Sequence, residues 1–225
     1  MTLDMEDLIN SIMASLGRID FIDPEDIPNI DLYMDQVTSF IDTHLKNTAR
    51  HQGTERILTK TMINNYAKND LLPPPEKKKY NKEHILLLIF IYYFKNILSI
   101  SDIQQMLGPM AERYFGKDGK TTIASIYDEV IGTEREQIGD FKEDILEKFH
   151  KSRESFPELE EGEEKEFLQL FSFICMLSFD VYVKKLMIEK IIDGYAEKKG
   201  PAAAKQKARR EGRKKTRHPE QEGDQ

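Results

Sequence analysis

Residues Ile85–Phe94 read ILLLIFIYYF, ten apolar side chains in unbroken succession. This run limits the possible folds more than any other stretch. It lacks the alternation of a half-buried strand and the three-and-four spacing of a helix with one wet face. It is also too short to span a bilayer, which takes about 20 apolar residues, and Lys95 follows it directly. A helix carrying it must be surrounded by protein. Asn81 is placed to cap that helix, which is predicted to run to about Leu98 and to lie at the centre of the fold.

The residues just before it are unusual. Three prolines (Pro73–Pro75) are followed by Glu76, then by Lys77, Lys78 and Lys79, then by Tyr80. Upstream of the prolines, Thr59 is predicted to cap a short helix, KTMINNYAKND. Its apolar side is Met62, Ile63, Tyr66 and Ala67, and its polar side is Lys60, Thr61, Asn64, Asn65 and Lys68. The triple proline should end it. Downstream, Ser99 with Asp102 forms a capping-box start for a helix that Gly108-Pro109 should stop.

The flanks also read as helices. Residues 3–16 place Leu8, Ile9, Ile12, Met13 and Leu16 on one face. Residues 20–30 contain Pro24 and Pro28 and read as an extended connector. Asp31 is expected to cap a helix over LYMDQVTSFIDTHL, followed by a polar loop over 46–56. Residues 121–155 have the three-and-four spacing of a long amphipathic helix, with a kink or break expected at Gly132-Thr133. Glu158–Glu166 reads as an acidic loop. Residues 166–197 should form one apolar helix or two short ones. Within them, Phe167–Val183 is interrupted by Gln169, Ser172, Ser178 and Asp180, and is expected to be buried core rather than a membrane span.

Charge narrows the function classes. The chain has 225 residues and a net charge of −7, but the sign is segregated. Residues 1–35 carry −8, residues 36–108 carry +4, residues 109–197 carry −9 and residues 198–217 carry +9. An anion-binding surface therefore belongs to 36–108 or to the basic tail. Cys175 is the single cysteine, which excludes an internal disulfide framework and suits a reducing compartment. Its apolar neighbours suggest a buried thiol. The acidic start lacks the pattern of a secretory signal, so a cytoplasmic protein without a membrane segment is expected. The scattered histidines have no metal-ligand spacing, and no cofactor is expected. Gly116-Lys117-Asp118-Gly119-Lys120-Thr121-Thr122 is not a phosphate loop, because no strand precedes it. No serine, cysteine or histidine arrangement suggests catalysis, so the protein is expected not to be an enzyme.

Two short helices, the second with a polar outer face, make a helix-turn-helix candidate. Asparagine can pair with adenine in the major groove, and lysines can neutralise phosphates. The stretch Met62–Leu107 resembles the DNA-binding module of MerR-type regulators. Tyr66 matches the second of that family's paired tyrosines, Leu71-Leu72-Pro73-Pro74 its GLLPP junction, Tyr80 the tyrosine before the next cap, and Ser99–Ile103 the start of its last helix. Asn64 and Asn65 stand where that family has an arginine and the first tyrosine. "DLYMDQVTSF" together with "LTKTMINNYAKNDLLPPP" is also similar to a bacterial family known only as a domain of unknown function, number 1836.

The resemblance implies an all-α protein with a MerR-like winged helix-turn-helix whose two-stranded wing is minimal or absent, plus a helical C-terminal region. The expected divisions are an arm over 1–30, the DNA-binding module over 31–108, a helical region over 109–197 and a disordered basic tail over 198–225. The expected function is a DNA-binding transcription regulator. Lys60, Thr61, Asn64, Asn65, Lys68, Lys77, Lys78 and Lys79 would meet double-stranded DNA, in a homodimer paired through the helix over 121–155. The alternative expectation is a protein-interaction module on the same scaffold.

Overall fold

The computed structural model describes residues 5–16, 21–45 and 57–215, the side chains of 15, 16 and 198–215 excepted. The expected loop over 46–56 lies outside the described residues. Two compact units divide the chain, Met1–Lys185 and Leu186–Gln225.

In chain order the elements are α1 (Met5–Leu16), a 3-10 turn (Pro24–Asp26), β1 (Leu32–Tyr33), α2 (Met34–Leu45), α3 (Lys60–Lys68), β2 (Lys79–Tyr80), α4 (Lys82–Phe94), α5 (Ile100–Tyr114), α6 (Ile123–Arg153) and α7 (Glu163–Lys215). The protein is mostly helical. β1 and β2 form a two-stranded antiparallel sheet, with Leu32 opposite Tyr80 and Tyr33 opposite Lys79.

α4 is the centre of the first unit. Its residues His84–Tyr92 are all buried, as an all-round apolar run requires. It packs against α5, α6 and β2. The helix ends at Phe94, short of the expected Leu98; the chain turns there, with Leu98 N–H donating to the Phe94 carbonyl at 2.8 Å. Phe90 meets Tyr127 of α6 edge to face, with centroids 5.4 Å apart. The buried Tyr127 hydroxyl donates to the Ile22 carbonyl at 2.8 Å. Arg135, two turns on, donates to the Phe21 carbonyl at 3.2 Å and pairs with Asp23 at 2.7 Å. The connector is thus bound to α6 side by side, with Ile22 and Ile27 sealed beneath it.

Several expected boundaries move, each for a local reason. Asp31 does not cap α2. Leu32 and Tyr33 are extended first, and the Tyr33 N–H donates to Gln36 Oε1 at 2.8 Å. α5 does not stop at Gly108-Pro109 but continues to Tyr114. A proline drives the preceding residue out of the helix partly through that residue's Cβ. Gly108 has none. α6 passes through Gly132-Thr133 without a break, with the Thr133 hydroxyl bonded back to the Glu129 carbonyl at 2.9 Å.

α1 packs on the far half of α6. Ile9, Phe149 and Phe173 form a small core there with Met13, Ile145 and Leu177. α7 is one continuous helix that begins inside the expected acidic loop and runs on through residues 198–215. Its start is fixed by Gln169, whose amide donates to the Arg153 carbonyl at 2.7 Å and accepts from Arg153 Nη1 at 2.9 Å. Lys148 of α6 reaches Asp180 of α7 at 2.9 Å. The expectation that Phe167–Val183 is buried is overturned. Gln169 and Phe173 are buried, whereas Phe167 is 65% exposed and Phe179 67%. An apolar stretch is buried only where neighbours exist to cover it, and within Met1–Lys185 α7 rests on α6 and α1 along one stripe. By length and composition alone, Glu163–Glu197 is also long and apolar enough to cross a membrane. Cys175 is half-buried rather than buried.

Candidate nucleic-acid interface

α3 is a two-faced helix held at both ends. Thr59 caps it as predicted, its hydroxyl accepting from Met62 N–H at 3.2 Å. Ile63 and Tyr66 are buried; Lys60, Thr61, Asn64, Asn65 and Lys68 are all exposed. The sequence periodicity therefore sorted this helix correctly.

Its end differs from expectation. The helix stops at Asn69, ahead of the prolines. Asp70 adopts a left-handed conformation (φ 55°). The Asp70 N–H bonds to the Ala67 carbonyl at 3.4 Å and the Leu71 N–H to the Tyr66 carbonyl at 2.9 Å. This is a Schellman end, in which two otherwise orphaned carbonyls are satisfied. The buried Leu71 and Leu72 follow it, so the prolines begin only after the chain has re-entered the core.

The lysine cluster forms a tight turn. Lys79 N–H bonds to the Glu76 carbonyl at 2.9 Å. Both central residues, Lys77 (φ 49°) and Lys78 (φ 66°), are left-handed, as a turn matching strand twist requires. Lys77 and Lys78 are exposed; Lys79 is half-buried, with its ammonium 5.2 Å from the Tyr33 ring centroid. The strand after this turn pairs with β1, the segment preceding α2.

Tyr80 and His84 anchor the turn from below. Asn81 Oδ1 accepts from His84 N–H at 3.1 Å, and Asn81 N–H donates to His84 Nδ1 at 3.1 Å, a reciprocal cap. His84 is packed edge-on between Tyr80 and Phe115. Burial lowers its pKa, against an opposing influence from the Pro74 and Pro73 carbonyls and from Asp31. Among the described residues, its buried Nε2 has no hydrogen-bond partner. Burial raises the pKa values of the Tyr66 and Tyr80 phenols, consistent with packing roles.

One feature of this surface had no signal in the sequence. Lys60 forms an ion pair with Asp35 of α2. These residues are far apart in the chain and meet only because α2 and α3 pack together. Tyr33 is the other unforeseen member, an exposed ring beneath Lys79. The acidic α1 packs on α6. Among the described residues, no group of three or more His, Cys, Asp or Glu side chains is arranged to hold a metal ion.

The first unit is thus a mostly helical, all-α domain with a minimal sheet, built on a buried central helix. Residues 22–130 match the family model described as a domain of unknown function (DUF1836). The match begins at the carbonyl held by Tyr127 and ends inside α6. No curated protein and no solved structure matches the chain.

Proposed function

We propose that the chain is a DNA-binding transcription regulator in which α2 and α3 act as a MerR-like helix-turn-helix. α3 would lie in the major groove, and the Glu76–Lys79 turn would serve as a shortened wing. The observation carrying this reading is the sorting of α3: its five polar residues are all exposed while Ile63 and Tyr66 fix the opposite face in the core. Asn64 and Asn65 have the chemistry to read adenine, and Thr61 can bond a base edge or phosphate. Lys60, Lys68, Lys77, Lys78 and Lys79 would neutralise phosphates.

Titrating mixed genomic fragments against salt tests it. With Lys60 held by Asp35, the other four lysines would give a log–log slope approaching about −3.6. Replacing Lys77, Lys78 and Lys79 with alanine should flatten that slope by about 2 to 3. Replacing Asn64 and Asn65 should leave the slope unchanged and erase sequence preference. A flat response, or no binding at low salt, refutes the reading.

A further inference from the structure

We propose that α7, in place of the helix over 121–155 expected from the sequence, is a homodimerisation helix, pairing antiparallel with α7 of a second copy of this chain through the stripe Phe167, Phe171, Ile174, Val181 and Tyr182. The pairing requires no DNA.

Within Met1–Lys185, α7 has two unlike sides. The inner side holds Gln169, Phe173 and Leu177 against α6 and α1, with Asp180 bridged to Lys148. On the outer side Phe167 is 65% exposed, Phe171 54%, Ile174 51%, Val181 61% and Tyr182 61%. With an aromatic side chain worth roughly 150–250 Å² when fully buried, this stripe leaves on the order of 600 Å² of bare apolar surface. That lies at the upper end of about 300–600 Å², the largest patch on a typical monomer, and approaches the roughly 800 Å² that one partner contributes to a specific interface.

The spacing indicates what covers it. Phe167, Phe171, Ile174, Ser178 and Val181 follow one another in steps of four and three, the seam of a helix that packs against another helix. The flanking charges select the partner and its direction. Glu163 and Glu164 precede the stripe, and Lys184 and Lys185 follow it. A second copy running antiparallel about Ile174-Cys175 sets Glu164 opposite Lys185 and Phe167 opposite Tyr182. A parallel copy would set Glu164 against Glu164 and Lys185 against Lys185, which is repulsive. A lipid surface is the poorer occupant. Helices that lie on membranes carry lysine or arginine beside the apolar face, and α7 has neither between Lys165 and Lys184; a spanning helix would carry Asp180 into the bilayer, whereas Asp180 is bridged to Lys148 of α6.

Sedimentation of the full chain without DNA tests the pairing. The wild type should sediment as a dimer at micromolar concentration. The double variant Phe171→Glu, Val181→Glu should sediment as a monomer that keeps the wild-type helical circular dichroism, since both side chains are exposed, and its melting temperature should no longer rise with protein concentration. A monomeric wild type, or a variant that remains dimeric, overturns the proposal. So does a monomeric wild type that floats with phosphatidylserine vesicles, which would assign the stripe to lipid. Direction is read separately on a Cys175→Ser background. Mixing the Glu164→Cys and Lys185→Cys chains should give an oxidised cross-link that neither chain forms alone. Cross-links within each single variant, and no mixed cross-link between residues 164 and 185 when the two are combined, would mean parallel pairing and overturn the antiparallel arrangement. Because no DNA is present, failure here is distinct from failure of the DNA-binding reading.

Discussion

Lys60 on α3 and Asp35 on α2 form an ion pair at the surface proposed for DNA, with both side chains more than half exposed. Such a pair contributes little to stability, about 0–1 kcal/mol. Its consequence is electrostatic: a lysine suited to phosphate is already held by a carboxylate, which would itself repel the DNA backbone. Asp35→Asn should therefore leave the melting temperature nearly unchanged and tighten DNA binding at low salt. The log–log salt slope should steepen by about one as Lys60 is released. Weaker binding by this variant would remove Lys60 from the interface.

Tyr127→Phe isolates the link between α6 and the connector. The substitution removes one oxygen and leaves the Ile22 carbonyl without its donor. A buried acceptor left unsatisfied costs about 1–3 kcal/mol. Urea denaturation should show a lower midpoint with an unchanged m-value, because the surface exposed on unfolding is the same.

Asp70 offers the opposite sign. Its left-handed backbone (φ 55°) closes α3, and glycine adopts that conformation without a Cβ penalty. Asp70→Gly should stabilise the protein by about 0.5–1 kcal/mol, net of the extra freedom glycine gives the unfolded chain. Thermal melts of the two chains provide the comparison. A loss of stability would mean that the Asp70 carboxylate contributes something a backbone argument omits.

The buried His84 predicts an acid-labile fold. Its pKa is lowered on folding, mainly by burial, so the unfolded chain binds the proton more readily. The stabilisation from keeping His84 neutral is complete above its ordinary value of 6.5 and is lost as pH falls below that and through the folded-state pKa. Glutamine can also act as the third residue of a capping box but does not titrate. His84→Gln should therefore flatten the stability profile just below pH 6.5, measured by denaturation at stepped pH. An unaltered slope would assign the acid sensitivity to other groups.

The elements that could be read from the sequence are those fixed by near neighbours. The Thr59 and Ser99 caps, the two faces of α3 and the burial of α4 all follow from residues within a few positions of one another. The chain punctuation was less dependable. Pro109 sits within α5 because Gly108 removes the usual clash, and α3 ends at Asp70 through backbone bonds rather than at the prolines. α7 shows the larger gap. Periodicity reports that Phe167–Val183 is apolar on most sides, but it cannot report how many neighbours the chain can supply. Of the proposed interface, the identity and exposure of the α3 side chains could be read from the sequence. The Lys60–Asp35 pair and the ring beneath Lys79 exist only once α2, α3 and the sheet have assembled.

α4 has nine consecutive buried residues and no wet face. Water cannot reach its amides by fraying one side, so their exchange with deuterium requires the surrounding domain to open. α3 has a bare outer side, and its amides can exchange through local openings that leave the core intact. The slowest α4 amides therefore measure the stability of the whole domain, and the α3 amides measure the freedom of the proposed reading helix alone. The difference between them gives the energetic margin by which α3 can loosen and re-form while its scaffold stays closed.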